Sequence, residues 1–253
     1  MQSKMKKVNK SIHPSDKEYL SRQKLLKLFK NTPIPDQSIL DNLEVYMRPQ
    51  RISEILTLEK LYAKILDVHG VVIEFGVRWG RHLSVFSALH ATYEPYNFYR
   101  KILGFDTFTG FLDPSDKDGD SDRVYRGSMS VSENYEKHLN EVLLLHEAEA
   151  PLSHIKRSYL FKGDAPTELK KYLKDNPETI IALAYFDMDL YDPTKKCLEL
   201  IKPYLAKGSV IAFDELMHPE FPGESQALRE VFDINKYKIK RFPTSPYPAY
   251  ITI

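Results

Sequence analysis

The stretch 71–89 constrains the fold of this chain more than any other. A short apolar run is followed by an acid, Glu74, and then by a turn that contains two glycines, Gly76 and Gly80. Apolar residues recur at the helical period from Ser84 onwards. A strand, a glycine turn and a helix in this order are typical of the first unit of an α/β nucleotide-binding fold, in which the start of the helix presents unpaired N–H groups to a ligand.

The spacing of these glycines and the acid before them narrow the kind of ligand. The pattern is Gly-x-x-x-Gly, not the Gly-x-Gly-x-x-Gly of pyrophosphate-binding turns. A carboxylate at Glu74 would repel a diphosphate but would suit a cationic amine. This points to S-adenosylmethionine, whose amino-acid end carries an ammonium group beside a sulfonium. Because short glycine motifs are weak evidence, an ordinary strand-to-helix turn stays the alternative.

The composition argues against several classes of protein. The 36 Lys+Arg residues are balanced by 35 Asp+Glu residues, so no overall basic charge favours nucleic acid as a partner. Cys197 is the single cysteine, which excludes an intramolecular disulfide and a cysteine-rich zinc site. No run reaches the ~18 apolar residues of a membrane span, and the N-terminus lacks a signal-peptide core. We therefore expect a cytoplasmic protein without a membrane span.

Residues 1–69 are predicted to form a helical extension ahead of the catalytic unit. Nine lysines and arginines face two acids within residues 1–30, which predicts a solvated basic tail, with docking to an acidic partner or a membrane surface as the alternative. We predict a short amphipathic helix in the second half of that segment, a second helix capped by Asp36, and a third from about Ile52 to Val68. These helices are expected to act as a lid or as the contact surface of a homo-oligomer.

Further strands follow the glycine turn and define the predicted fold. Four apolar runs separated by helical patterns are predicted to be parallel strands that close on acids, at about 101–108, 158–164, 180–187 and 209–215. Two Tyr-rich segments, 237–242 and 247–253, have no helix between them and should pair antiparallel, with the terminal strand inserted into the sheet. The expected fold is α/β and Rossmann-like, with a mostly parallel seven-stranded sheet, an antiparallel C-terminal hairpin and an N-terminal helical extension.

Acids lie at the carboxyl ends of all five predicted parallel strands. They are Glu74, Asp106, Asp164, Asp187 and Asp214. Ligands of doubly wound sheets bind at the edge where the carboxyl ends of the strands lie. Five acids at five strand ends therefore favour a binding site at this edge more strongly than any single acid does.

The connecting segments carry four more predictions. The acid-rich loop 113–122 is expected to be a mobile, solvated active-site loop, because its glycines do not fit an EF-hand and no glutamate closes it. Ser130 and Glu133 form a capping-box pattern, which predicts a helix start at this point. Asp192 is predicted to cap another helix, and Lys207–Gly208 is predicted to end that helix.

Three carboxylates are expected to converge on a metal ion. Asp187 and the pair Asp214 and Glu215 follow neighbouring strands, and clustered carboxylates repel one another unless a cation lies between them. An all-oxygen set of ligands suits Mg²⁺ or another hard divalent cation. Such an ion lowers the pKa of a bound hydroxyl, which could then attack a sulfonium methyl group in line. Strand-end acids acting as helix caps are the alternative, and Asp189 could compete with Asp187 as a ligand.

Four segments of the chain resemble a known family: 74–80, 105–111, 186–191 and 213–215. They look like the macrocin O-methyltransferase family (TylF/MycF type), whose members are Rossmann-like class I methyltransferases. Those enzymes depend on S-adenosylmethionine and Mg²⁺ and methylate sugar hydroxyls, often in antibiotic or polysaccharide pathways. The resemblance covers about Gly70 to Phe232, and it implies that residues 70–253 form the methyltransferase domain.

The resemblance also implies roles for individual residues. It implies that Glu74, Gly76, Arg78 and Gly80 contact the methionine end of the cofactor. Asp106 and Thr107 would contact the ribose, and Gly163 and Asp164 would contact the adenine side. Asp187, Asp214 and Glu215 would bind the metal ion, and Asp187 would also contact the cofactor and act as the catalytic base. The family usually carries two aspartates after the fifth strand, so the longer Glu215 is a departure from its pattern.

Several other functions are compatible with parts of the sequence. The same metal arrangement would serve methylation of a catechol or another small phenol, which is the closest competitor to a sugar or a glycosylated natural product as acceptor. A non-catalytic fold relative that binds a nucleotide or an acidic partner is a further alternative. A nicotinamide-dependent oxidoreductase is disfavoured by the missing Gly-x-Gly-x-x-Gly motif. We expect His138 and His218 to be surface or packing residues, not catalytic ones.

Overall fold

A single sheet organises the part of the chain that the computed structural model describes, residues 14–253. Its strands are β1 (Val71–Phe75), β2 (Ile102–Asp106), β3 (Ser158–Lys162), β4 (Ile181–Phe186), β5 (Leu205–Phe213), β6 (Lys240–Arg241) and β7 (Ala249–Thr252). Their order across the sheet is β3-β2-β1-β4-β5-β7-β6. The strands β1 to β5 run parallel, and β7 pairs antiparallel with both β5 and β6. The predicted Rossmann-like sheet with an inserted terminal strand is therefore confirmed.

Helices precede the sheet and connect its strands. They are α1 (Asp16–Lys30), α2 (Pro49–Tyr62), α3 (Arg81–Tyr93), α4 (Tyr135–Ala148), α5 (Ala165–Asp175), α6 (Tyr191–Ile201) and α7 (Gly223–Val231), with short 3₁₀ turns between some of them. Among the described residues, no helix combines the length and the apolar character that crossing a membrane requires.

The sheet separates two apolar layers. Ile73 and Phe75 of β1 pack on one side with apolar side chains of α5, α6 and α7, whereas Val72 packs on the other side with those of α2, α3 and α4. Successive side chains of a strand point to opposite faces, which produces this alternation. Every residue of β1 and β4 is buried, as expected for central parallel strands that are covered on both faces. This packing holds the carboxyl ends of the strands in one row.

The chain divides into two compact units, one ending at Ile52 and the other comprising Ser53–Ile253. The division lies inside α2, earlier than the boundary predicted at residue 69. The reason is that Leu58, Leu61 and Tyr62 in the second half of α2 are buried in the core of the larger unit.

The smaller unit is described from residue 14 onwards. Its helix α1 begins with a capping box, in which Ser15 accepts from the backbone N–H of Glu18 and Glu18 accepts from that of Ser15. None of the side chains of α1 is buried. Four lysines of the predicted basic tail, Lys4, Lys6, Lys7 and Lys10, lie outside the described residues.

Two predicted helix starts are wrong. Asp36 begins only a short 3₁₀ turn without a side-chain cap, and the 3₁₀ segment that follows is interrupted at Asn42, whose φ of −130° is not helical. Helix α4 begins at Tyr135, beyond the expected Ser130. The reason is that Asn134, directly before α4, adopts the left-handed backbone conformation, which a right-handed helix cannot include.

Helix α6 and strand β5 also begin earlier than predicted. Because α6 starts at Tyr191, Asp192 lies in its first turn and is not its cap. The carboxylate of Asp118, from a loop 73 positions away, accepts from the N–H of Tyr191 instead. Gly208 does not end a helix but lies within β5, where its N–H donates to the carbonyl of the terminal Ile253.

Candidate active site

A cavity of about 490 Å³ opens at the carboxyl edge of the sheet. Its wall includes eight of the eleven predicted site residues: Gly76, Arg78, Asp106, Thr107, Asp164, Asp187, Asp214 and Glu215. The wall is built from the segments that follow β1, β2, β3, β4 and β5. Three predicted residues, Glu74, Gly80 and Gly163, do not line it. The strand-end acids are thus brought to one place, apart from Glu74, which lies beneath the surface.

The glycine turn after β1 is fixed by close backbone contacts. Gly76 has a φ of +90°, and a Cβ atom at this position would lie 1.9 Å from the carbonyl oxygen of Asp187. The carboxylate of Asp106 accepts from the backbone N–H groups of Arg78 and Phe108. The backbone N–H of Val77 also contacts this carboxylate, and burial raises its pKa while these bonds lower it. Gly76 is therefore required by the approach of two backbones, and Asp106 holds the turn together.

Asp164, which is predicted to contact the adenine side of the cofactor, lies at the start of helix α5. Asp164 precedes α5 and accepts from the backbone N–H and the hydroxyl of Thr167, so it caps this helix while also lining the cavity. Thr107 donates its hydroxyl to the carbonyl of Gly110 within the loop after β2. Both predicted residues thus have structural partners as well as access to the cavity.

A buried histidine that the sequence did not single out lies among the acids. Nδ1 of His82, on α3, is 3.3 Å from Oε1 of Glu74 and 3.5 Å from Oδ2 of Asp187. Its Nε2 lies 2.9 Å from Oε1 of Glu54, on α2. Glu74 is buried, and neither of its oxygens has a well-oriented hydrogen bond among the described residues. His82 therefore faces carboxylates on both sides of its ring.

The surroundings of His82 favour its charged form. Burial alone would lower the pKa of this imidazole, but the carboxylates of Glu54 and Glu74 raise it to about 9. Glu54 is also paired with Arg81, at 2.7 Å. Since His82 lines the cavity, a positive charge lies next to the predicted base, Asp187.

Five carboxyl groups interact near the ends of β4 and β5. They belong to Asp187, Asp189, Asp214, Glu215 and Glu224. Burial, together with repulsion from Asp214 and Asp189, raises the pKa of Asp187 well above its usual value. Burial and repulsion by Asp214 raise the pKa of Asp189 to about 7, and burial and repulsion by Asp189 raise that of Glu215 to about 8. Such shifts mean that these groups favour sharing protons or a cation.

The chemistry of these donors suits a hard divalent cation. Asp187, Asp214 and Glu215 offer only carboxylate oxygens, which such ions prefer. Oε2 of Glu215 is buried without a hydrogen-bond partner in the described part of the chain, whereas Asp214 accepts from the hydroxyl of Tyr185 at 2.7 Å. Within residues 14–253, no three His, Cys, Asp or Glu side chains are already arranged to hold an ion. An ion would have to draw these carboxylates together.

The acid-rich loop is anchored, contrary to the expectation of a freely solvated segment. Asp118 is 1% exposed. It accepts from the N–H groups of Ser115 and Tyr191, and the second of these bonds ties the loop to the start of α6. Asp113, by contrast, has a side chain that is 86% exposed. The loop therefore combines a fixed centre with a solvated edge.

An apolar cluster with one cation borders the cavity beneath this loop. Phe111, Leu190 and Phe221 are buried together and all line the cavity. The guanidinium of Arg123 lies 5.0 Å from the centre of the Phe221 ring and also lines the cavity. This part of the cavity offers apolar contacts and a guanidinium that is paired with Glu220, at 3.6 Å, and whose charge partly offsets the raised pKa values of Asp189 and Glu215.

His138 and His218, the two histidines considered in the sequence, lie outside the cavity wall. His138 packs its ring against Tyr135. His218 lies with Nδ1 3.6 Å from Oε2 of Glu215, and this nitrogen accepts from the backbone N–H of Glu220. Neither histidine lines the cavity. The histidine that does so, His82, could not be identified locally, because its carboxylate partners come from α2 and from the ends of β1 and β4.

Comparison with known proteins gives two kinds of result. No family profile and no curated protein matches the chain. Among solved structures, the calicheamicin methyltransferase CalS11 superposes with a TM-score of 0.96 and 44% identity, covering 100% of this chain and 99% of that one. Its apo form, described as a TDP-rhamnose 3'-O-methyltransferase of calicheamicin biosynthesis, gives a TM-score of 0.84 with 95% and 96% coverage. The O-methyltransferase NovP shares the fold, at a TM-score of 0.58 and 18% identity over 79% of each chain.

Proposed function

Because this chain belongs to the family of O-methyltransferases that includes CalS11, we propose that it methylates a hydroxyl group of a sugar carried on a nucleoside diphosphate. The observation that carries the proposal is the 44% identity to CalS11 over the full chain, combined with a cavity at the expected edge of the sheet. The predicted resemblance to sugar O-methyltransferases and the predicted enzyme class, S-adenosylmethionine-dependent O-methyltransferase, are confirmed by that similarity. Membership of the TylF/MycF branch stays a prediction.

The proposed reaction moves one methyl group. The oxygen of the acceptor hydroxyl attacks the methyl carbon of S-adenosylmethionine, the carbon–sulfur bond breaks, and its electron pair stays on sulfur to give neutral S-adenosylhomocysteine. The hydroxyl proton passes to the carboxylate of Asp187. Two observations support Asp187 in this role: it lines the cavity, and its pKa is raised by burial, which strengthens it as a base.

The donor site of the proposal can be tested with the single tryptophan of the chain. Trp79 lies in the cavity wall between Arg78 and Gly80, and it is 46% exposed. S-adenosylhomocysteine should therefore quench or shift its fluorescence in a saturable way, with a matching heat in calorimetry. Absence of both signals would contradict the proposed donor site.

We include Mg²⁺, held by Asp187, Asp214 and Glu215, in the proposal. When bound, the ion supplies Lewis-acid stabilisation of negative charge that develops on an oxygen. The all-carboxylate donor set, the lack of a hydrogen-bond partner for Oε2 of Glu215 among the described residues and the raised pKa values of the cluster support it. Calorimetric titration should show Mg²⁺ binding that is lost in Asp214→Asn but kept in Asp122→Asn, a loop variant away from the cavity wall. Equal heats in the two variants would contradict the assignment.

The acceptor side of the cavity supports a sugar nucleotide over a small phenol. Arg123, which is also paired with Glu220 at 3.6 Å, places a positive charge near the apolar cluster of Phe111, Leu190 and Phe221, and a guanidinium suits the negative charge of a diphosphate. Initial rates should be highest with a nucleotide-linked 6-deoxyhexose and near background with catechol. A higher rate with catechol would favour the competing phenol methyltransferase.

A homo-oligomer formed through the N-terminal helices is also part of the proposal. The leucines Leu20, Leu26 and Leu28 of α1 are exposed, and no side chain of this helix is buried. Sedimentation of the full chain should therefore give a species larger than a monomer, and Leu26→Glu should shift it towards the monomer. A wild-type chain that sediments as a monomer would contradict this part.

A further inference from the structure

A buried glutamate that was not among the predicted site residues bridges the turns after β4 and β5, which carry the acids of the site. Glu224, in the first turn of α7, is 0% exposed. Its Oε1 accepts from the N–H of Met188 at 3.2 Å, and its Oε2 accepts from the N–H of Glu215 at 3.1 Å. One carboxylate is therefore hydrogen-bonded to the turn after β4 and to the turn after β5.

The two residues whose N–H groups donate to Glu224 are adjacent in the sequence to the proposed catalytic and metal-binding acids. Met188 lies between Asp187 and Asp189, and Glu215 directly follows Asp214. The backbone N–H groups that Glu224 fixes thus belong to the two segments whose side chains line the cavity. A shift of either segment would change the separation of their carboxylates.

The turn after β4 needs such support, because its backbone is strained. Asp189 has a φ of +62°, a conformation that costs a non-glycine residue free energy. Asp118 holds the far end of this turn by accepting from the N–H of Tyr191. With Glu224 at Met188, two buried carboxylates from different parts of the chain keep the strained turn in place.

Close packing brings α7 near enough for these bonds. A Cβ atom on Gly223 would lie 2.5 Å from the backbone nitrogen of Tyr191 and 2.7 Å from the carbonyl oxygen of Asp189. Only glycine therefore allows the first turn of α7 to lie directly against the turn after β4. The side chain of Glu224 then reaches the turn after β5 as well.

We propose that Glu224 is a positioning residue that sets the separation between the acids after β4 and those after β5. The claim that Glu224 affects catalysis rests on the proposed methyl transfer. The claim that it holds the two turns rests on its two backbone hydrogen bonds. A buried carboxylate beside four others is unfavourable by itself, so its place between the two turns is explained by the bonds that it makes.

A matched pair of variants tests this role. Glu224→Gln keeps the size of the side chain, but its amide nitrogen is a donor and cannot accept from one of the two N–H groups. Glu147→Gln is the control, since Glu147 is also buried but accepts from two backbone N–H groups, those of Arg157 and Ser158 at the amino end of β3, through the single oxygen Oε1. The control therefore removes a buried carboxylate at the opposite end of the sheet, while its amide oxygen can still accept from both N–H groups.

The expected result separates positioning from general destabilisation. In Glu224→Gln, kcat should fall by at least about 10-fold while KM for S-adenosylmethionine changes less than about threefold, because the donor-binding turn after β1 is not displaced. Amide hydrogen exchange should accelerate in the segments 187–191 and 214–217. In Glu147→Gln, kcat should stay within about twofold of wild type, and exchange in the segments 187–191 and 214–217 should stay at the wild-type rate.

Other outcomes would overturn the inference. Equal losses of kcat in the two variants, or unchanged exchange in both acid-bearing segments of Glu224→Gln, would show that Glu224 has no positioning role. If Glu224→Gln does not fold, Glu224→Asp keeps two acceptor oxygens on a shorter side chain, and it should show the same loss of kcat to a smaller extent. A wild-type enzyme that methylates no acceptor would refute the proposed function, whereas the exchange measurement would still decide whether Glu224 holds both turns.

Discussion

At the scale of single residues, His82 controls the charge balance of the site. Its buried imidazole faces Glu54, Glu74 and Asp187 within 3.5 Å, and the carboxylates of Glu54 and Glu74 raise its pKa to about 9 against the effect of burial, so its charged form is favoured at pH 8. Removal of one partner from a buried ion pair leaves an uncompensated charge, which costs roughly 3–5 kcal/mol. His82→Ala should therefore lower the free energy of unfolding by about that amount at pH 8 and reduce kcat, as measured by denaturant titration and initial rates.

A second histidine on the same helix provides the control for this prediction. His90 is equally buried, but its Nε2 bonds to the carbonyl of Asn97, and burial lowers its pKa. His90→Gln should destabilise the fold with little effect on kcat. If the two variants lose kcat in proportion to their stability, His82 has no special role in the site.

The raised pKa of Glu215 predicts how stability depends on pH. Its folded pKa of about 8 lies above its ordinary value of 4.5, so the folded state favours the protonated form. The stabilising effect of this proton is complete below about pH 4 and is lost as the pH rises through about 8. Glu215→Gln, which mimics the protonated form, should therefore become more stable relative to wild type by roughly 3–4 kcal/mol between pH 5 and pH 8 in Mg²⁺-free buffer, at about 1.4 kcal/mol per pH unit. A difference that stays constant over this range would contradict the shift.

At the scale of elements, the glycine turn after β1 couples the fold to the site. Gly76→Ala adds a Cβ atom 1.9 Å from the carbonyl oxygen of Asp187, so the turns after β1 and β4 must separate. Gly127 has nearly the same φ, +87°, but nothing lies within 4 Å of its Cβ position. Gly127→Ala should therefore cost only the backbone strain, about 1 kcal/mol. Gly76→Ala should cost several times more and abolish methyl transfer, which thermal unfolding and initial rates would show. Similar effects of the two substitutions would contradict a steric role for Gly76.

The elements themselves could be predicted because their signals are local. The apolar runs of β1 and β4, the acids after them and the Tyr-rich terminal segments needed only periodicity and strand spacing to be recognised. The helix starts were less accurate, since they depend on partners elsewhere in the chain. The N–H of Tyr191 is capped by Asp118 across 73 positions, and no local pattern contains that information.

At the scale of the whole molecule, the topology assembles parts that the sequence keeps far apart. Eight of the predicted site residues line one cavity, as the sheet order requires. His82 and Glu224 could not be recognised as parts of the site. Their roles depend on how α3 and α7 pack against the carboxyl ends of the strands, and this packing is settled by contacts such as that of Gly223 with the turn after β4. The acids at the strand ends were predictable, whereas the residues that contact them from α3 and α7 were not.

The most direct test of methyl transfer to a sugar is to follow the transferred methyl group itself. The protein would be incubated with S-adenosylmethionine labelled with ¹³C at its methyl group and with a nucleotide-linked 6-deoxyhexose, and the products would be examined by NMR. We expect one new ¹³C-methoxyl signal that correlates with a ring carbon of the sugar, and one equivalent of S-adenosylhomocysteine. Consumption of the donor without a sugar methoxyl signal, or no consumption at all with sugar acceptors, would contradict the assignment of this chain as a sugar O-methyltransferase.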